Sequence, residues 1–280
     1  MKVILKIIFI TNLLICSTLA ELHPSDDRKA KGPNSPKFLD AVGRLSVTKS
    51  TGATNYCGAS LVGFTADRKS RIVVTSAHCL KADNISWKTT TKSGKVIERK
   101  IVKVLEHETL SDYAILLLDD YVEPSDVAPL IIDYEGRSSV QQMVGSELNG
   151  KAYVAGYSAD RELGQGGKIL TYDDSIESIG TCSNVDGRCP VGGSTRGATT
   201  YDGASGGAVV VTYEDDLNEV NTGIQHVYVG PIKGGLSNDF SSSNGANGSN
   251  NTIFTCYERF SKQLFKHLSE YNGFVEGIEY

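Results

Sequence analysis

Beyond its first 20 residues the chain has no apolar stretch near bilayer length, no run of basic residues and no C-x-x-C pair. It also shows little sustained helical period between residues 39 and 250. The first absence excludes a membrane-spanning helix downstream of the N-terminus. The second sets aside nucleic acid and anionic membrane as main partners. The third, with no histidine at zinc-site spacing from a cysteine pair, argues against a structural metal. The fourth leaves short strands as the main building material.

What is present begins with a secretory pattern. Lys2 and Lys6 precede an apolar stretch from Ile7 to Ile15, and Thr18-Leu19-Ala20 supplies small residues for cleavage after Ala20. The stretch is too short to span a bilayer and is broken by Thr11 and Asn12. A secreted protein, extracellular or periplasmic, is the expectation. Removing 20 of 280 residues leaves 260, and losing two of 28 basic residues leaves 26 against 33 acidic ones, a formal charge of −7. That length suits one large all-β domain or two small barrels sharing a cleft. Five cysteines remain, Cys57, Cys79, Cys182, Cys189 and Cys256. Secretion makes disulfides their default state, and an odd count leaves at least one free or paired between chains.

Residues 21–37 are charged, hold Pro24, Pro33 and Pro36, and lack a hydrophobic period. They are predicted to be a disordered leader or propeptide, with Arg28, Lys31 and Lys37-Phe38 as exposed processing candidates. Strand patterns follow at 41–47, 59–64, 71–75, 96–105 and 114–118, then at 151–157, 168–172, 207–212 and 220–229. The connection near 120–148 divides two halves of a single domain over 38–275. Residues 234–251, rich in Gly, Ser and Asn, are predicted to be a surface loop or disordered insertion. Phe254, Tyr257, Phe260, Leu264 and Leu268 fall at spacings of three and four, predicting a helix with Thr255 and Glu258 as its capping box. His23, His107 and His267 are expected at the surface.

Three segments carry chemistry. Thr75-Ser76-Ala77-His78-Cys79 offers an imidazole base, Ser111-Asp112-Tyr113 places an acid at the start of an apolar strand, and Asp202-Gly203-Ala204-Ser205-Gly206-Gly207 sets a serine between glycines. Attack by a serine on a carbonyl needs a base for its proton, a group that fixes the imidazole, and donors for the oxyanion. His78, Asp112 and Ser205 supply the first two, and the amides of Gly203 and Ser205 the third. Taken singly, each residue has a plain structural reading, and Asp119 or Asp120 competes with Asp112.

Together with Cys57-Gly58-Ala59-Ser60-Leu61-Val62, these motifs make the chain resemble the secreted trypsin/chymotrypsin-like serine proteases, from about Leu39 to the C-terminal helix. The chain order His, Asp, Ser is theirs and differs from that of subtilisin or the α/β-hydrolases. The resemblance implies two packed six-stranded antiparallel β-barrels with a C-terminal α-helix and a triad in the cleft between them. It also implies a Cys57–Cys79 bridge, peptide substrates and no metal or organic cofactor. A monomer is expected.

The chain departs from that family in instructive places. In trypsin-like zymogens a new N-terminus pairs with an aspartate just before the serine; here Ala204 holds that position, and Ala41-Val42-Gly43-Arg44 replaces the usual Ile-Val-Gly-Gly. Maturation by that switch is not expected. The sixth residue before the serine is Thr199, followed by Thr200, which argues against a Lys/Arg pocket. Gln225 and His226 are aligned to the specificity strand, so acidic side chains (as in the glutamyl-endopeptidase-like branch) or polar uncharged ones fit the pocket. Cys182 and Cys189 are expected to pair locally, leaving Cys256 unpaired; a bridge from one of them to Cys256 is the alternative. Asn84, Asn247 and Asn250 sit in N-x-S/T sequons. The rival functions are a catalytically silent binding or adhesion module and a secreted esterase.

Overall fold

The computed structural model describes residues 23–81, 84–133, 140–145, 148–180, 192–215 and 223–273. Its first half is built from β2 (Val42–Thr48), β3 (Thr54–Gly63), β4 (Ser70–Thr75), β5 (Asn84–Thr90), β6 (Val96–Glu108) and β7 (Tyr113–Val122), preceded by β1 (Lys29–Ala30). Antiparallel ladders run β3–β2–β5–β6–β7–β4 and return to β3, closing a six-stranded barrel. Closure removes the unpaired edges that an open sheet leaves. Leu45, Leu61, Ile72, Ile115, Leu116 and Leu118 are fully buried in this half. Trp87 lies across Gly43, where an added Cβ would fall 2.3 Å from its indole nitrogen, and that nitrogen donates to the Ala59 carbonyl.

Beyond β8 (Leu130–Ile131) and the short helix α1 (Val140–Val144) lie β9 (Lys151–Gly156), β10 (Thr171–Asp173), β11 (Ser178–Gly180) and β12 (Gly192–Arg196). They are followed by β13 (Thr200–Tyr201), β14 (Ala208–Asp215), β15 (Gly223–Gly235), β16 (Phe240–Ser241), β17 (Asn247–Ser249) and β18 (Thr252–Thr255). The ladders run β10–β9–β14–β15–β18–β12–β11 without joining end to end among the described residues. Strand β8 pairs in parallel with both β3 and β15 and stitches the halves together. Helix α2 (Ser261–Asn272) packs Leu264, His267 and Leu268 inward, with Phe265 edge-on to Phe64. The all-β barrel fold with a C-terminal helix thus stands as expected.

Several local readings are overturned. The segment predicted to be a disordered leader or propeptide is ordered over residues 23–37, whatever its processing: β1 pairs with β10, and Arg28, read as an exposed processing site, is 5% exposed. Its burial is supported by ion pairs, which leave no periodic trace in a sequence. Residues 234–251 are not a plain loop, because β16 and β17 form a small sheet with β13. The C-terminal helix starts at Ser261, since Phe254 is spent in β18 and Tyr257–Arg259 form a short 3₁₀ turn. Thr255 caps nothing; its hydroxyl donates to the Ser111 carbonyl. His267 is buried between Leu264 and Leu268, with Nε2 3.0 Å from a Glu106 carboxylate oxygen.

Cys57 and Cys79 are joined, tying β3 to the turn that carries His78. Cys256 is also disulfide-bonded, against the expectation that it is unpaired. The ladder Gly192↔Thr255 brings the strand after the Cys182–Cys189 loop to the residue beside Cys256, a proximity that local spacing does not reveal. Cys182 and Cys189 lie outside the described residues.

Candidate active site

Strand β4 ends at Thr75, and a single 3₁₀ turn, Ala77–Cys79, sets the His78 ring at the barrel rim. Strand β7 begins at Tyr113, and the residue before it, Asp112, has φ +58°. A non-glycine residue held in the left-handed region is a costly conformation that clusters at functional sites. It folds the carboxylate back onto the imidazole, with Nδ1 lying 3.0 Å and 2.9 Å from the two oxygens. The His78 backbone N–H donates to the same carboxylate at 3.0 Å. A carboxylate facing Nδ1 keeps the proton there and leaves Nε2 as an acceptor toward the cleft. Asp119 and Asp120 accept from the backbone amides of Lys100 and Tyr121 instead, so neither competes for this place.

Ser205 arrives from the other half. Gly203 has φ +90° and Gly206 φ +75°, and both are needed for tight turns. A Cβ on Gly206 would fall 2.2 Å from both the Gly58 carbonyl oxygen and the Thr75 hydroxyl; one on Gly207 would fall 2.2 Å from the Ala155 carbonyl oxygen. The serine turn is therefore pressed between β3 and β9, and only glycines fit on its inner side. The Gly58 N–H donates to the Ser205 carbonyl at 2.7 Å. One carbonyl, that of Ile232, accepts both the Ser76 hydroxyl and the Gly206 N–H. His78 and Ser205 are thus tethered to a common point on β15. The Ser205 hydroxyl donates to the Lys233 carbonyl at 3.3 Å. The Gly203 and Ser205 amides donate to no group among the described residues.

Of the four residues assigned to the pocket, Thr199 immediately precedes β13, Thr200 begins it, and Gln225 and His226 lie near the start of β15. Thr199 is buried; its hydroxyl reaches the Ser25 carbonyl and the Asn250 side chain, and its N–H donates to Asp173. Burial pushes the Asp173 carboxyl above its ordinary range, against the pull of those backbone donors. The Thr200 hydroxyl meets that of Thr252. Gln225 and His226 pair with Tyr213 and Thr212, whereas the end of β15 beside Ser205 pairs Pro231 with Ala208. Four ladder positions separate the His226 level from that end and five the Gln225 level, about 14 Å of strand or more. His226 packs on Phe38 and bonds the Thr212 hydroxyl, and burial holds its imidazole below the usual histidine range. The segment next to Ser205 is instead Lys233-Gly234-Gly235-Leu236. The 13-residue length of β15 was the missing signal, since counting from the serine stops near its start.

No protein-family model matches the sequence, and a search of curated proteins finds no match. Solved structures do match in shape. The protease Anisep from Arthrobacter nicotinovorans superposes with a TM-score of 0.52 at 12% identity, over 82% of this chain and 93% of its own. The thermostable serine protease AL20 from an extremophilic microorganism superposes with a TM-score of 0.51 at 14% identity, over 84% of this chain and 99% of its own. The fold is that of the chymotrypsin-like serine proteases, with one closed six-stranded barrel and further strands beside it.

Proposed function

We propose that this chain is a secreted serine endopeptidase that cleaves peptide bonds through an acyl-enzyme on Ser205. The observation that carries the reading is the Asp112 carboxylate set against His78 Nδ1. The glycine turn of Ser205 is fixed to the same barrel end. In this role His78 Nε2 takes the Ser205 proton as the oxygen attacks the carbonyl and returns it to the leaving amine. Asp112 orients the ring and stabilises the imidazolium. The Gly203 and Ser205 amides receive the oxyanion. Gly234 and Gly235 pair with β18 along one edge, and the pairing of β15 with β14 stops at Pro231, which leaves the other edge of residues 233–235 for an extended substrate. The disulfides suit an oxidising compartment, and no described helix is long and apolar enough to cross a membrane.

Incubation with a serine-directed phosphonate tests the proposal. Covalent labelling of Ser205, lost in Ser205→Ala and in His78→Ala, is expected. A folded protein that neither labels nor cleaves casein would establish the silent binding module instead. Hydrolysis of simple esters without casein cleavage would establish the esterase.

A further inference from the structure

Ala204 occupies the place next to the serine, so no carboxylate stands there, and the turn's own acid, Asp202, faces away to accept the backbone and side-chain N–H groups of Asn247 at 3.0 Å and 3.1 Å. What backs the turn is the segment after β9. The Ala159 N–H donates to the Asp202 carbonyl at 2.6 Å, and a Cβ on Gly203 would meet the Tyr157 carbonyl oxygen at 2.8 Å. The next residue, Asp160, is fully buried; one of its oxygens accepts the Leu163 and Gly164 amides at 2.8 Å and 3.0 Å. Its other oxygen meets the Arg28 guanidinium at 2.8 Å.

Arg28 comes from the N-terminal segment, and its side chain is 1% exposed. Its guanidinium also grips Asp26 through Nε at 2.8 Å and Nη2 at 2.7 Å. It lies 4.2 Å from the centre of the Tyr201 ring, and the Tyr201 carbonyl accepts the Ala204 N–H. Burial alone disfavours the Asp160 carboxylate, but the hydrogen bond and charge of Arg28 outweigh it and hold the carboxyl below its usual range. A planar fork can bridge two carboxylates and stack on a ring at once; an ammonium cannot.

We infer that Arg28 is a positioning residue for the oxyanion turn: through Asp160 and Tyr201 it fixes the backbone that aims the Gly203 and Ser205 amides, and residues 26–31 stay in the working enzyme as a permanent strap. This rests on the proteolytic reading above. Arg28 touches no reacting atom, so its effect falls on transition-state stabilisation and not on substrate affinity.

The test compares the full secreted chain with Arg28→Lys and with the triple variant Asp26→Asn/Arg28→Met/Asp160→Asn. The triple variant removes all three buried charges together and so avoids stranding one of them. Both variants are expected to lose about ten- to a hundredfold in kcat at nearly unchanged KM, the scale of a misaimed oxyanion donor. Hydrogen-exchange protection at the Ala204 and Gly206 amides is expected to fall at least tenfold. Protein labelled at Ser205 should retain Arg28 when its N-terminus is mapped. A folded triple variant with wild-type kcat and protection, or a labelled species that begins after Lys31, overturns the inference. A wild type that turns over no peptide defeats only the proteolytic reading, and the protection at Ala204 then decides whether the strap exists.

Discussion

Residues 42–122 hold His78 and Asp112 on a barrel whose every strand is paired on both sides, while residues 149–256 hold Ser205 on strands that do not close among the described residues. In the first half His78 sits in the single turn after β4 and Asp112 immediately before β7, so ladder hydrogen bonds and apolar packing aim them directly. In the second half the aiming is done by close backbone contact at glycines and by a buried ion-pair cluster. Register shifts occur in both halves: in β4 between Ser70 and Ile72 and in β6 at Ile101/Lys103 and Val104/Glu106 in the first, and in β15 opposite Val209/Val210 and between Ile232 and Gly234 in the second. Bulges re-aim a strand where a site needs it. Substitutions in the first half should therefore act mainly on global stability, and those in the second on turnover in a protein that remains folded.

The largest departure from that division is expected at Asp112, which lies in the first half yet acts on chemistry. Asp112→Asn should lower kcat about 10⁴-fold by presenting the wrong imidazole tautomer. Unfolding midpoints should move little by comparison. Peptide hydrolysis within tenfold of wild type would remove Asp112 from the site and reopen the competition with its neighbours.

Trp87→Ala sets the scale for the barrel. It empties a fully buried indole and should cost about 3–5 kcal/mol, read from the shift in urea midpoint at constant m. The fraction that remains folded should keep wild-type kcat. Gly206→Ala sets the scale for the other half: the added methyl meets the Gly58 carbonyl and the Thr75 hydroxyl, and the residue is forced to a positive φ. Turnover should fall by at least about a hundredfold, a cost set by displacing the nucleophile by about an ångström. If Gly206→Ala unfolds the protein while Trp87→Ala spares it, the proposed division between the halves is wrong.

The same contrast explains which parts were legible in the sequence. Barrel strands such as Ser70–Thr75 and Tyr113–Val122 announce themselves by apolar runs between turn signals. Strand β5 escaped because Asn-Ile-Ser-Trp-Lys-Thr-Thr buries only Trp87 and Thr89 fully, too few apolar positions to signal alternation. The triad residues are each embedded in a local motif, so their identity could be read without the fold. The strap at Arg28 could not, because its partners Asp160 and Tyr201 lie more than a hundred residues away in the chain and share no period with it. The stripe Phe254 to Leu268 mixed a strand, a 3₁₀ turn and a helix that all bury apolar side chains, Phe254 in one core and Tyr257, Phe260, Leu264 and Leu268 in the other. Spacing alone cannot separate them.

The smallest effect expected is at His226, and it bears on the pocket. Its imidazole is held below the usual histidine range by burial, so below about pH 6.5 the unfolded chain takes up a proton that the folded one resists. Its contribution to stability is complete above that pH and is lost as the pH falls through it. His226→Gln should therefore lose less stability than wild type between pH 7.5 and pH 5, measured as paired urea midpoints. Its cleavage preference on a mixed peptide library should match wild type, because the residue lies four ladder positions from the serine end of β15. A changed preference at the scissile bond would return His226 to the pocket. An unchanged one leaves the reading of substrate to Lys233-Gly234-Gly235, where a Lys233→Glu exchange is the next substitution to profile.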